Sequence, residues 1–262
     1  MLNVDVVPAE SARYTASLIF VPGLWSGPRG WRRSAGYLAH RGWECHLVDP
    51  RGHGGIAGRA AAVAEYAAAL PVRPLLLGHD AGALVALAAA GPAGAAAAVL
   101  VAPLVPGSRE THVLLPRHRA LVGALLRRPL APPSGVAASL LWGELTAPLR
   151  RQLTEGGAGE DVALVRDLRA GRVLPPRPPG MPLLLLGGAR DALLPAVAAR
   201  ALAATLAAEH DTLPGAGHWP HLDPTTWQPT VDRLHRWLVQ RLGEKLLELY
   251  AEAMAERETD DE

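Results

Sequence analysis

The chain has 262 residues, 49% hydrophobic and 19% charged, which allows one large domain or two small ones and excludes a disordered chain. Its 26 basic and 25 acidic residues leave a formal charge of +1, giving no electrostatic footprint for nucleic acid. A single cysteine, Cys45, excludes an internal disulfide framework and a cysteine-rich zinc site, and suits a reducing cytoplasm.

The opening MLNVDVVPAE has no basic segment leading into an apolar run, so it does not read as a secretory signal. Short apolar runs follow at Leu18 to Val21, Cys45 to Val48, Pro74 to Leu77, Ala98 to Val101 and Leu183 to Leu186. Runs of this length ending in Gly, Pro or Asp predict strands buried on both faces. Helix-compatible stretches separate or follow them: Trp31 to Arg41, Ala60 to Leu70, Ala81 to Ala90 and Leu193 to Ala208. The alternation predicts an α/β fold, a mostly parallel sheet flanked by helices and joined by right-handed crossovers.

Ala81 to Ser108 carries no charge over 28 residues, more than the roughly 20 a membrane span requires. Gly91, Pro92 and Gly94 cut this run into shorter, Ala-rich pieces. A buried helix, a turn and a buried strand are therefore expected, and no membrane contact. The strand–helix rhythm breaks between Pro103 and Met181, where Pro-rich corners begin at Pro132 and Pro175 with helical segments between them. The predicted organisation is a core of residues 1–102 and 182–262 with an inserted helical cap at 103–181. The insertion holds 11 arginines and 6 acidic residues, a balance of +5. That excess reads either as a solvated surface or as a lid attracting an anionic substrate.

After Pro224 the sequence reads as helix to its end. Glu244, Glu248, Glu252 and Glu256 make one acidic face, and Leu242, Leu246, Leu249, Tyr250 and Ala253 an apolar stripe. The stripe covers either the chain's own core or, in a homodimer, a second copy. The final ETDDE is expected to fray.

The chemistry centres on PLLLGHDAGALVALAAA, residues 74–90. A buried strand enters Gly78-His79-Asp80-Ala81-Gly82 and an Ala-rich helix leaves it, a G-x-D-x-G form of the nucleophile elbow. Such a turn lifts the central side chain to the carboxyl end of the sheet, where open α/β folds bind ligands. Later, Asp191 follows the strand at Leu183 to Leu186, and His218 lies in a Gly-rich loop past a last strand near Thr212. Nucleophile, acid and histidine thus come in the order of the α/β-hydrolase triad.

Over residues 15–242 the chain resembles the α/β-hydrolase superfamily. On that pattern VPGLW follows the third strand and DPRGHG the fourth. A carboxylate at the elbow is already ionised at neutral pH and needs no activating base. Attack on an ester would give a reactive anhydride, whereas attack on a saturated carbon gives a stable alkyl ester. His218, oriented by Asp191, would then deprotonate a water that attacks the Asp80 carbonyl. The backbone N–H groups of Leu24 and Ala81 would hold the oxyanion. GHDxG also resembles the elbow of haloalkane dehalogenases, haloacetate dehalogenases and epoxide hydrolases.

The chain departs from each of these. Epoxide hydrolases use cap tyrosines, yet Tyr14, Tyr37, Tyr66 and Tyr250 all lie outside the insertion. Ala81 stands where haloalkane dehalogenases place a halide-binding tryptophan and haloacetate dehalogenases an arginine, and Pro22-Gly23 replaces the usual His-Gly of the oxyanion turn. Trp25 and Trp142 read as pocket wall or as N–H donors to a leaving group. Arg117, His118 and Arg119 read as surface or as a site for a substrate carboxylate. His53 is expected to shape its loop, His79 to pack behind the elbow, and Asp223 to cap the helix after Pro224. Glu209 and Asp211 are rival orienting acids, disfavoured by their position before the last strand. No metal spacing and no phosphate-binding or dinucleotide-binding glycine turn is present, so neither metal nor cofactor is expected.

The expected function is hydrolysis of a carbon–halogen bond or epoxide in a small organic substrate, through an alkyl ester on Asp80. One alternative keeps Asp80 and His218 as a proton-transfer pair in a lyase or cyclase without a covalent step. Another is a non-catalytic receptor or scaffold.

Overall fold

In the computed structural model the described residues (2–118, 123, 125, 128–155, 159–171 and 174–241) build one seven-stranded sheet. Its strands are β1 (Asn3–Val7), β2 (Leu18–Val21), β3 (Cys45–Asp49), β4 (Leu75–His79), β5 (Ala97–Val101), β6 (Leu183–Gly188) and β7 (Glu209–Leu213). They lie in the order β1-β3-β2-β4-β5-β6-β7; β1 runs antiparallel to β3 and every other pair is parallel. One strand, not two, precedes Leu18–Val21, so VPGLW follows the second strand and DPRGHG the third. The family pattern counts an N-terminal strand that the described residues of this chain do not form.

Side chains along the central strands alternate between two apolar layers. Ile19, Leu76, Leu100 and Leu185 face one layer; Phe20, Leu77, Val99 and Leu186 face the other. Helices α2 (Ile56–Ala68) and α3 (Ala81–Ala90) cover the first face, and α1 (Arg32–His40) with the helix over residues 227–241 covers the second. Two-sided burial is why the strands read as continuous apolar runs rather than as alternating ones. Helix α3 is buried at every residue except Ala88, so it has no polar face to show. The charge-free run from Ala81 is thus a buried helix followed by β5, as its Gly-Pro interruption predicts. Among the described residues no helix is long and apolar enough to cross a membrane.

Between β5 and β6 lie α4 (Arg109–Leu114), α5 (Gly135–Trp142), α6 (Ala147–Thr154) and α7 (Val162–Ala170). Leu114, Leu141, Trp142, Leu153, Leu164 and Leu168 of this segment pack on Leu24, Trp25, Ile56, Ala81 and Leu84, forming a third apolar cluster over the carboxyl ends of the strands. Helix α8 (Ala196–Thr205) starts later than the predicted Leu193, because Pro195 occupies its N-cap and the Asp191 carboxylate takes the N–H groups of Leu193 and Leu194. The acidic face and apolar stripe expected beyond Leu242 fall outside the described residues.

The chain runs from β2 to β3 on one side and returns to β4 on the other. Crevices at such reversals, outside the carboxyl ends of the strands, are where open sheets bind ligands. Three non-glycine residues with left-handed backbone follow central strands: Trp25 (φ 55°) after β2, Asp80 (φ 57°) after β4 and Ala102 (φ 43°) after β5.

Candidate active site

Asp80 ends β4 and caps α3. Its N–H donates to the Val101 carbonyl at 3.1 Å, and its Oδ1 accepts from the Ala81 N–H. Close approach, not backbone sign, explains the flanking glycines. A Cβ on Gly78 would lie 2.3 Å from the Gly82 carbonyl oxygen, and one on Gly82 would lie 2.3 Å from that of Pro22. A Cβ on Gly23 would meet the Asp80 Cβ and the His79 Nδ1 at 2.7 Å, so the Pro22-Gly23 turn must stay bare where it meets the side chains of the elbow.

The acid and the histidine arrive from the last two strands. Asp191 follows β6 and His218 follows β7. His218 Nδ1 donates to Asp191 Oδ2 at 3.0 Å, with Oδ1 at 3.2 Å, while Nε2 stands 3.5 Å from Asp80 Oδ2. All three residues are buried. Asp80 therefore divides its carboxylate: Oδ1 accepts the backbone N–H of Ala81 and Oδ2 faces His218, while the Leu24 N–H also bonds to the carboxyl group.

Burial disfavours every charge here, and the neighbours decide the outcome. Burial pushes the Asp80 carboxyl up, against the pull of His218 and of the Ala81 and Leu24 N–H groups. Burial also raises Asp191, but His218 and two backbone donors outweigh it and hold the carboxyl below its usual range. For His218 burial works against the cation, yet the charge and hydrogen bond of Asp191, with Asp80 in support, push it up to about 10. Behind it, His79 donates from Nε2 to the His218 carbonyl at 2.8 Å. Burial keeps His79 and His221 neutral, His221 being pushed down to about 3. The cationic form thus belongs to the one histidine that faces two carboxylates.

The remaining expected site residues divide. Trp25 spends its indole N–H on the Leu130 carbonyl at 2.9 Å. Trp142 is buried edge-on to Trp25 with ring centroids 6.4 Å apart, and its indole N–H has no partner among the described residues. Arg117 and His118 are exposed, and Arg119 lies outside the described residues. Asp223 accepts from the Thr225 N–H at 2.7 Å inside a turn, and the helix starts at Trp227 rather than at Pro224, so Asp223 does not cap its first turn as expected. Glu209 pairs with Arg241 and Asp211 with Arg233. Tyr14 stacks on Trp43, Tyr37 donates to Asp232 and Tyr66 bonds His46, so none of the three is placed at Asp80.

Two carboxylates at the site give no local sequence signal. Glu144 accepts from the Trp219 N–H at 2.7 Å, and Glu160 from the Trp25 N–H at 2.8 Å. Burial raises both carboxyls. Among the described residues no group of His, Cys, Asp and Glu could hold a metal ion.

An open, mostly parallel sheet with an aspartate after β4, an acid after β6 and a histidine after β7 defines a hydrolase-type enzyme fold. The profile of the alpha/beta hydrolase family matches residues 18–227, and the chain belongs to that family. No curated protein sequence matches the chain. A monoacylglycerol lipase from Paleococcus ferrophilus superposes with a TM-score of 0.71 at 19% identity, covering 92% of this chain and 99% of that one. A thermophilic esterase from Thermogutta terrifontis gives 0.63 at 16% identity, covering 92% and 93%. E-2-(acetamidomethylene)succinate hydrolase gives 0.65 at 19%, covering 90% and 94%. At these identities the likeness is one of fold.

Proposed function

We propose that the protein hydrolyses a small organic substrate through an alkyl ester on Asp80, with residues 103–181 acting as a cap over the site. The observation that carries this reading is the divided carboxylate of Asp80, one oxygen taking the Ala81 N–H and the other open toward His218. Oδ2 attacks a saturated carbon; the carbon–halogen or epoxide carbon–oxygen bond breaks and its electron pair leaves with the halide or oxygen. Forming the ester removes the negative charge that helped hold the proton on His218. The histidine then gives that proton to solvent, or to the oxygen of an opened epoxide, and in its neutral form can accept one from water, which is the timing the second step needs. Water adds to the Asp80 carbonyl carbon, the Leu24 and Ala81 N–H groups hold the oxyanion at Oδ1, and expulsion of the alcohol restores the carboxylate.

A halide fits this site better than an epoxide. Opening an epoxide calls for an acid at the departing oxygen, and none of the described tyrosines is placed there. The unpartnered indole N–H of Trp142 is a donor suited to a halide. Those same tyrosine positions, with Ala81 after the nucleophile, favour one second reading, in which Asp80 and His218 only exchange a proton with substrate. Intact mass of a His218→Gln variant incubated with bromoalkanes separates the two. A stable adduct on Asp80 supports the ester. Wild-type turnover without an adduct, and without label from heavy-oxygen water entering Asp80, supports proton transfer. Binding of substrate without turnover by wild type supports a receptor.

A further inference from the structure

Trp25, the residue after the Leu24 donor, holds a left-handed backbone that a bulky side chain rarely adopts, with φ at 55°. Such a conformation persists only where its surroundings over-determine it. Here both of its N–H groups are taken by the insertion. Its backbone N–H donates to Glu160 Oε1 at 2.8 Å, and its indole N–H donates to the Leu130 carbonyl at 2.9 Å. Leu130 and Glu160 are themselves partners in an isolated antiparallel bridge, each N–H donating to the other's carbonyl at 2.8 Å. The oxyanion turn is therefore plugged into a two-residue bracket more than 100 residues away in sequence.

The second oxygen of Glu160 is spoken for as well. Arg59 of α2 donates from Nη2 to Glu160 Oε2 at 2.7 Å and to Asp161 Oδ2 at 2.9 Å. Arg59 and Glu160 are both buried. A buried ion pair gains little over apolar residues of the same shape, so stability alone is a weak reason for an acid here. The Trp25 N–H supplies a better one, since a carboxylate is the stronger acceptor for a peptide donor. Holding that N–H fixes the plane of the Leu24–Trp25 peptide. Only the φ and ψ of Leu24 then separate that plane from the N–H that Leu24 turns toward Asp80.

We propose that Glu160 is a positioning residue for the oxyanion turn, acting through the Trp25 peptide, so that the site is complete only when the inserted segment is docked. This rests on the reading that the Leu24 N–H stabilises charge on Asp80, and it adds the device that aims that donor. Glu160 touches no reacting atom and works entirely through its neighbour.

The test compares Glu160→Leu, which removes the acceptor, with Glu160→Gln, which keeps a carbonyl oxygen in its place. Two readouts are taken on the full chain: amide exchange at Trp25 against amides of β4, and kcat and KM for 1-bromobutane. The expected result for E160L is Trp25 exchange at least tenfold faster with β4 unchanged. Its kcat falls at least tenfold while KM moves less than threefold, and E160Q stays within threefold of wild type throughout. Unchanged Trp25 exchange in E160L overturns the proposal, as does a loss of activity that matches a loss of folded protein. If E160L does not fold, Glu160→Asp keeps the charge for Arg59, draws the acceptor back by one methylene, and is read in the same two ways. A wild type that does not turn over 1-bromobutane counts against the function proposed above, and the exchange arm then decides the bracket by itself.

Discussion

Gly82→Ala sets two physical effects against each other in one residue. Gly82 lies in helix α3, where alanine is ordinarily worth up to about 1 kcal/mol over glycine. Against this, its Cβ would stand 2.3 Å from the Pro22 carbonyl oxygen and 2.5 Å from that of Val21. Those atoms are backbone and cannot swing aside, so the oxyanion turn has to retreat by about 0.7 Å to restore a 3.0 Å contact. Overpacking of this kind costs about 1–3 kcal/mol, which outweighs the helix gain. The net loss of up to about 2 kcal/mol lowers the melting midpoint by up to about 8 °C for a domain of this size. A shift of nearly 1 Å at a reacting group reduces turnover by roughly 100-fold. Gly36→Ala is the control: Gly36 is exposed in α1 with nothing within 4 Å, so the same change stabilises by about 0.4–1 kcal/mol and leaves turnover alone. Calorimetry and initial rates on the pair decide the matter. A G82A protein as stable as G36A with full turnover would falsify the close-approach account of the elbow.

Further expectations concern charge. Asp80→Asn removes one of the two carboxylates facing His218, so the histidine falls from about 10, as ring-nitrogen NMR can follow; a value still near 10 refutes the pairing. Because the folded value lies above the ordinary 6.5, His218 contributes stability in full below 6.5 and loses it as the pH climbs through about 10. Denaturant titrations should thus show wild type losing stability between pH 7 and 10 faster than His218→Gln, and parallel curves count against it. Trp142→Phe removes the unpartnered indole N–H and weakens bromide inhibition by roughly tenfold or more, so equal inhibition removes the halide role. Arg117→Ala, on an exposed side chain, leaves turnover of neutral and carboxylate-bearing substrates unchanged; a selective loss with the latter restores the anionic-lid reading.

The parts of the fold that follow from local pattern were legible. Apolar runs gave β2 to β6 within a residue or two but not the half-exposed edge strand β1, and Gly78 and Gly82 around Asp80 announced the elbow because tight turns restrict residue choice. Asp191 and His218 could be picked out because they follow strands, although nothing local says that they meet. What stayed hidden depends on distant contacts. Glu160 reaches Trp25 across 135 positions, and Arg59 reaches Glu160 across 101, with no spacing rule to reveal either. Counting charge in the insertion likewise gives no direction. Its arginine excess suggests attraction of anions, yet Arg117, Arg150, Arg151 and Arg166 are exposed while Glu160 is buried at the oxyanion turn. Trp25 shows the same limit, since a side chain that reads as a donor had already given its N–H to Leu130.

The left-handed residues after β2, β4 and β5 make the rim of the sheet the place where the molecule is least relaxed. Ala102 sits there without apparent duty in the chemistry, yet its N–H ties β5 to the Leu186 carbonyl at 2.7 Å. An engineer seeking heat resistance has a site where glycine, normally a poor choice, relieves torsion rather than adding slack. The same exchange at position 80 or 25 would ease the chain and blunt the enzyme, so robustness and reactivity compete along one short edge.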